Sequence, residues 1–426
     1  MDTVGHMTPQ KHVLLKNSLS QGDVVMLTAA VRDLRCILMA SIGVLGICLF
    51  SLSGIAQEKT AAFQFSLSSG SPIIFCEVQI NRSSKELFMI DTAATNSILD
   101  TQLAAQIGAT SLVRLGQMTD GAGNKLNMPY VQPPEIKLGE EAVRLKSIAV
   151  TDLRFIHKFC GLDVRGILGV DALIDKIIEL DFDREVMKIY RDDEPRGQYQ
   201  KNMFVRRTPA MSRSFGGVLH KIECGFLIDT GYNGFMAVRK DYFHQLTTEG
   251  MIKLSNTHSE NINPSGGRSM TCGTFTAGEL LGLELKGYEV GEALLDESVG
   301  LGFLRAFNMA IDFPNSRMHY SLRKGYSGSL DAVDMLGMKL TYGKEGVFAS
   351  PIIGAGIQTP ARLLKIAEGD RLLEIGGIKA QDINCLRLHA LCEEKAGTEI
   401  TIAWESPSKR KLSTRVCLPA RIYDKK

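Results

Sequence analysis

The sequence predicts a mostly β protein built from two copies of one unit and followed by a separate C-terminal domain. Three observations carry that prediction. Short apolar runs alternate with glycine-containing turns, and long helical patterns are few. An ordered set of motifs occurs twice between residues 63 and 322. A Gly/Ser-rich connector, RKGYSGSL at 323–330, then introduces a third, different pattern.

The chain has 426 residues, 44% hydrophobic and 23% charged, which is ordinary for globular protein and leaves room for two or three domains. A formal net charge of +2 announces neither a nucleic-acid partner nor a polybasic membrane patch. The cluster Lys409, Arg410, Lys411 follows Ser406 and Pro407 and reads as a solvated hairpin turn.

The first element, residues 1–56, is set apart by its apolar run. Cys36 to Ile55 carries no charge and follows Arg32, Asp33 and Arg35 directly. It reads as a signal peptide or as a single membrane anchor at 36–56. Gly54 and Ala56 suit a cut before Gln57, and either outcome places the remainder outside the cytoplasm, as an exported or periplasmic protein. Ile47 before Cys48 argues against a lipoprotein site. Seven of the nine cysteines lie beyond this run, none in a CxxC or at metal-ligand spacing with histidine, so most are expected to be buried free thiols. No HExxH occurs and no metal is implied.

The second and third elements are the repeated units, residues 63–192 and 203–322. FMIDTAATNS at 88–97 and FLIDTGYNG at 226–234 each run an apolar strand into an aspartate, at Asp91 and Asp229. Each is followed by a glycine turn, DGAGNK at 120–125 and PSGGRS at 264–269. Next come GILGVDALID at 166–175 and VGLGFLRAFN at 299–308, with Gly169 and Gly302 read as equivalent. The apolar runs IIELDFD at 177–183 and MAIDFP at 309–314 close the units, and Asp181 and Asp312 within them read as strand-end turn residues. Taken singly, Asp91 or Asp229 is a turn residue or an N-cap; the duplicated order favours a paired role.

These residues resemble aspartic proteases of the retropepsin and pepsin type, and most of all bacterial retropepsin-like proteins with two such units in tandem. The resemblance implies a two-lobed acid-protease pair of β-barrels. It also implies an endopeptidase acting on protein or peptide substrates without a cofactor. Asp91 and Asp229 would be the catalytic pair: two carboxylates about 3 Å apart cannot both ionise, so one acts as acid and the other as base, a case for which this family is the standard illustration. Thr92 and Thr230 would brace the pair across the lobes, with Gly231 allowing close backbone approach and Ala93 standing where lobe 1 departs from that glycine. Gly121, Ala122 and Gly123, and Ser265, Gly266 and Gly267, would be the flap turns.

The last element, residues 328–424, resembles a PDZ domain of the exported bacterial protease kind through GVFASPI, EGDRLLEIGG and TEITIAWE. The resemblance implies a C-terminal peptide ligand held at Lys344, Glu345, Gly346, Val347 and Phe348 and adding a strand to the edge that follows. One chain carries both units, so a monomer suffices, while exchange of lobes between two chains stays open. A second reading keeps the fold without the chemistry: a peptide-binding scaffold, or pseudoprotease, with PDZ-mediated partner binding.

Overall fold

The computed structural model describes residues 61–419 except 65, 68–71, 83, 122, 140, 264–265, 294, 325, 327–334 and 352–358, all within one unit, Lys59–Lys426. The apolar run at 36–56 lies outside the described residues. Among the described residues no helix is long and apolar enough to cross a membrane.

Lobe 1 is organised around a nine-stranded sheet. Strands β1 (Phe75–Ile80) and β2 (Ser84–Ile90) form its first hairpin, and the alternating burial of Phe75–Ile80 places every second side chain in the core. Strand β3 (Ile98–Asp100) leads into helix α1 (Thr101–Gln106), capped by Asp100, whose carboxylate accepts from Gln102 N at 2.9 Å. A hairpin of β4 (Leu112–Thr119) and β5 (Lys125–Val131) projects from the sheet, followed by β6 (Ile148–Thr151) and helix α2 (Arg154–Cys160). Strand β7 (Gly166–Leu168) then inserts between β2, which it meets in parallel, and β3, which it meets antiparallel. A single helical turn, α3 (Val170–Leu173), follows.

Lobe 2 repeats the central strand order of this plan in an eight-stranded sheet. Its hairpin is β10 (Arg213–Leu219) with β11 (Ile222–Ile228), after β8 (Ile177–Asp181) and β9 (Val186–Tyr190) have closed lobe 1. Strand β12 (Met236–Arg239) runs into helix α4 (Lys240–Thr248), and the long hairpin of β13 (Ile252–Asn263) and β14 (Gly266–Phe275) matches that of lobe 1. After β15 (Glu289–Ala293), strand β16 (Ser298–Val299) inserts beside β11 in parallel and β12 antiparallel, ahead of helical turn α5 (Leu301–Leu304).

The two lobes share a third sheet. Strand β17 (Phe307–Asp312) pairs antiparallel with β8, Ile177 opposite Asp312 and Leu180 opposite Met309, and β18 (Arg317–Leu322) flanks β17 as β9 flanks β8. The closing apolar runs of the two units thus form the centre of a six-stranded floor. Asp181 and Asp312 end these strands. The Asp181 carboxylate accepts from Asp183 N and Arg184 N, and the Asp312 carboxylate accepts from Asn315 N.

The ladder registers correct one assignment. Asp91 N donates to Leu168 O at 3.0 Å and Asp229 N to Val299 O at 3.1 Å, so the residues after those carbonyls, Gly169 and Gly300, are the equivalent pair. Both hold the same extended conformation at the N-cap of a helical turn, φ −92° and −96°. Gly302 therefore corresponds to Asp171. The repeated letters Leu-Gly slip by two residues because the hydrogen bond to the aspartate, not the nearest glycine, defines the register.

The C-terminal domain has its own core, including Met338, Leu340, Leu372, Ile402 and Trp404. Strands β19 (Met338–Gly343), β20 (Gly346–Pro351), β21 (Asp370–Ile375), β22 (Glu399–Glu405) and β23 (Lys411–Cys417) follow that order in the sheet, with α6 (Cys385–Lys395) packed on it. This corrects the expected peptide edge. Lys344 and Glu345 are the tight turn of the β19–β20 hairpin, and Gly346, Val347 and Phe348 lie in β20, which is paired to β19 along its length and to β21 from Val347 to Ala349. A strand with both sides hydrogen-bonded offers no ladder to an incoming peptide.

The domain docks on lobe 1. Gly161, which ends α2 at φ +68°, approaches the Tyr342 ring so closely that an added Cβ would lie 2.6 Å from it. Cys385 is buried in the same apolar cluster as Ile156 and Cys160, and burial followed by a hydrogen bond with the Cys160 thiol pushes its own thiol well up. His389 Nε2 lies 3.5 Å from Glu185 Oε1. All seven described cysteines are free thiols, six buried and Cys417 exposed.

Candidate active site

Each aspartate directly follows the second strand of its lobe's first hairpin. The residues before it, Phe88 and Ile90 in β2 and Phe226 and Ile228 in β11, are fully buried and fix the strand end against the core. The chain then turns, and the turn's own backbone cradles the carboxylate. Ala93 N and Ala94 N each donate to Asp91 Oδ1 at 2.9 Å; Gly231 N and Tyr232 N each donate to Asp229 Oδ1 at 2.9 Å. Both aspartates keep part of their surface accessible.

The threonines lock the two turns together. Thr92 Oγ1 donates to Ile228 O at 2.7 Å and accepts from Thr230 N at 3.1 Å. Thr230 Oγ1 donates to Ile90 O at 2.9 Å and accepts from Thr92 N at 3.1 Å. Both residues are 1% exposed, so four hydrogen bonds cross between the lobes away from water, where leaving any partner unmade costs about 1–3 kcal/mol.

Gly231 marks where the two aspartates meet. A Cβ added there would lie 2.5 Å from Asp91 Cγ and Oδ2, so the Asp91 carboxyl occupies the space a side chain would need. Residue 93 of lobe 1 carries a methyl where Gly231 of lobe 2 has none. Ala93 nonetheless makes the same N–H contact as Gly231.

Electrostatics follow from this geometry. Burial raises both carboxyls above the ordinary aspartate range. For Asp229, burial is the larger cause and the charge of Asp91 the next, opposed by the N–H groups of Tyr232 and Gly231. For Asp91, burial is opposed by Ala94 N and Ala93 N. One proton is therefore retained between the two at pH values where isolated carboxyls are ionised.

A second layer supports each turn, and sequence reasoning did not assign it. In lobe 1, Ser97 N and Oγ donate to Asp171 Oδ1 at 2.8 and 2.6 Å, while Ser97 Oγ accepts from Gly169 N at 3.1 Å. In lobe 2 the strand registers, Ile98 opposite Ile167 and Ala237 opposite Ser298, make Met236 and Gly302 the corresponding positions, and Gly302 N donates to Gly234 O at 3.1 Å. Ser97 and Asp171 both lie inside the repeated motifs, six residues after Asp91 and two after Gly169, which was the available signal.

Of the expected flap residues, Gly121 and Gly123 lie at the tip of the β4–β5 hairpin, closed by Gly123 N donating to Asp120 O, with Gly123 at φ +81°. Leu295 Cδ2 of lobe 2 would be 3.6 Å from a Cβ at Gly123, so this tip reaches the opposite lobe. Ala122 and Ser265 lie outside the described residues. Gly266 and Gly267 are in strand β14, paired with Asn263 and Ile262, and not in the turn.

Residues 76–172 match the family model described as aspartyl protease, a span that contains Asp91, Thr92, Ala93 and Gly169. Compared with curated proteins, the chain matches none. Among solved structures it is similar to the aspartic proteinase from Irpex lacteus, at 12% identity and a TM-score of 0.38, over 63% of this chain and 98% of that one.

Proposed function

We propose that the chain is an aspartic endopeptidase whose single site lies between the two lobes. The observation that carries this reading is the pair of raised carboxyls, each cradled by two N–H groups and locked to its partner by the Thr92–Thr230 exchange. The aspartyl protease match over lobe 1 supports it. In the reaction, ionised Asp91 takes a proton from a water as its oxygen attacks the peptide carbonyl, and protonated Asp229 gives its proton to the carbonyl oxygen. The tetrahedral diol then collapses. A proton passes to the amine nitrogen, the C–N bond breaks, and the dyad again holds one proton. The cradle N–H groups keep both acids in place, so no reorganisation is needed as charge develops.

The C-terminal domain is proposed as a PDZ-type module that engages substrate or regulates the cleft. Its packing on α2 of lobe 1 favours regulation through that lobe over strand addition at β20. Export, with residues 36–56 as signal or anchor, is proposed on sequence grounds.

The test offers the full chain a diverse peptide library from pH 4 to 8, beside Asp91→Asn and Asp229→Asn. Cleavage by the wild type and a loss of about a thousandfold or more in both variants is the expected result. Cleavage that survives in either variant, or none by the wild type, overturns the proposal.

A further inference from the structure

Ser212 lies one residue ahead of β10, 17 residues before Asp229 in the chain, in no motif. Its side chain is 1% exposed and its hydroxyl donates to Ala93 O of the opposite lobe at 3.1 Å. That carbonyl belongs to the same rigid peptide group as Ala94 N–H, which donates to Asp91 Oδ1 at 2.9 Å. Ser212 is itself pinned, since Ser212 O accepts from Thr208 N at 3.1 Å.

The other lobe lacks this device. Ladder registers place Ser214 opposite Leu227 and Phe75 opposite Met89, two residues before Asp229 and Asp91 respectively. Two residues further back, Ser212 therefore corresponds to Ile73, which has no donor to give to the Gly231 carbonyl. The peptide that holds Asp229 is not gripped from this position; the one that holds Asp91 is.

We propose that Ser212 is a positioning residue for Asp91: by gripping the Ala93–Ala94 peptide from lobe 2 it orients and polarises the N–H that holds this carboxylate, leaving the shared proton on Asp229. A hydrogen bond accepted by a peptide carbonyl strengthens the N–H of the same group as a donor, and a stronger donor favours the ionised carboxyl. The titratable group facing Asp91 is Asp229. Asp171 is engaged with Ser97, and the guanidinium of Arg213 is turned to Met211 O and Phe313 O. The inference deepens the proposed function and rests on it for its catalytic meaning.

The experiment is a titration of the full chain carrying 13C in its aspartate carboxyls, with Asp91→Asn and Asp229→Asn assigning the signals. In Ser212→Ala the lower apparent ionisation of the pair is expected to rise by about half a pH unit, roughly a threefold tighter hold on the proton. Ser212→Thr, which keeps the hydroxyl, is expected to restore it, and the acid limb of kcat/KM should move with it. Should Ser212→Ala not fold, Ser212→Cys, a weak donor of similar size, reads the same shift. An ionisation that stays put while Tm falls makes Ser212 structural only and overturns the inference. Because the titration needs no turnover, a wild type that cleaves nothing would sink the proposed function while the role of Ser212 was still decided.

Discussion

Both lobes cradle a carboxylate with two N–H groups and contribute a threonine to the same lock, but they support those parts differently. Ala93 stands against Gly231, the Ser97–Asp171 pair against Met236 and Gly302, and Ser212 against Ile73. Lobe 1 braces its turn with buried polar groups. Lobe 2 does so with an aromatic cluster in which Phe235 stacks on Tyr288 at 4.3 Å between ring centres and meets Phe303 edge-on. The contrast teaches that the chemistry constrains the few atoms facing the cleft, while the layer behind them need only be fully satisfied. A complete polar pair and a complete apolar cluster are near equivalents; a half-made pair is not.

The comparison can be broken most severely at the two unequal turn residues. Gly231→Ala drives a methyl into the Asp91 carboxyl and is expected to lower kcat/KM about a hundredfold or more, since a displacement of about 1 Å at a reacting group has that effect. A loss below about threefold would mean that the Asp91 carboxyl does not depend on the space left open at Gly231.

The lock should respond equally from either side. Thr92→Val and Thr230→Val each delete two cross-lobe hydrogen bonds and leave buried partners unmade, an expected loss of about 2–4 kcal/mol in urea unfolding for each. Costs that differ by more than about 1 kcal/mol would show that the lobes do not share the load.

The supporting layers should respond unequally. Asp171→Ala strands the Ser97 hydroxyl and amide and is expected to cost about 1–3 kcal/mol. In lobe 2, Gly302→Asp places a carboxyl where Met236, at the Ser97 position, offers no hydroxyl and where even a Cβ would lie 2.9 Å from Gly234 O, so it should cost more than Asp171→Gly.

A pH experiment sharpens the same comparison. Asp229, raised by burial and by the charge of Asp91, ionises in the folded chain at about 8 against 3.8 ordinarily. The folded chain keeps a proton that the unfolded chain has lost, so this group's contribution to stability falls as pH rises across that window. Asp229→Asn removes the penalty. It is expected to match the wild type near pH 3 and exceed it in Tm by a few degrees at pH 7; equal curves at both pH values would place the raised proton elsewhere. The smallest effect is expected from Ala93→Gly, which keeps the N–H contact and should leave kcat/KM within about threefold of the wild type.

Much of the candidate site was legible because its parts are local. An apolar run that ends in Asp-Thr-Gly states a strand, a carboxylate and a close approach within nine residues, and its recurrence states a pair. The register of Gly169 with Gly300 was not legible, because Leu301-Gly302 copies the letters of Leu168-Gly169 while the true counterpart, Val299-Gly300, lies two residues earlier. Ser212 was invisible for a different reason: its partner, Ala93, lies 119 residues away, and a serine before a strand carries no signature. The C-terminal domain shows the same limit. GVFASPI declares a strand, but only pairing on both sides shows that its edge is taken.

By itself the sequence determined the strands, the turns that end them, the two acids and the division into repeated units, because periodicity and glycine placement act over a few neighbouring residues. Only the tertiary structure decided which residues face each other across the lobes. Those include the Thr92–Thr230 exchange, the Asp91 carboxyl over Gly231, the grip of Ser212 and the docking of α6 near Cys160. The physical reason is that such contacts join segments more than a hundred residues apart, and their existence depends on how two already folded layers pack.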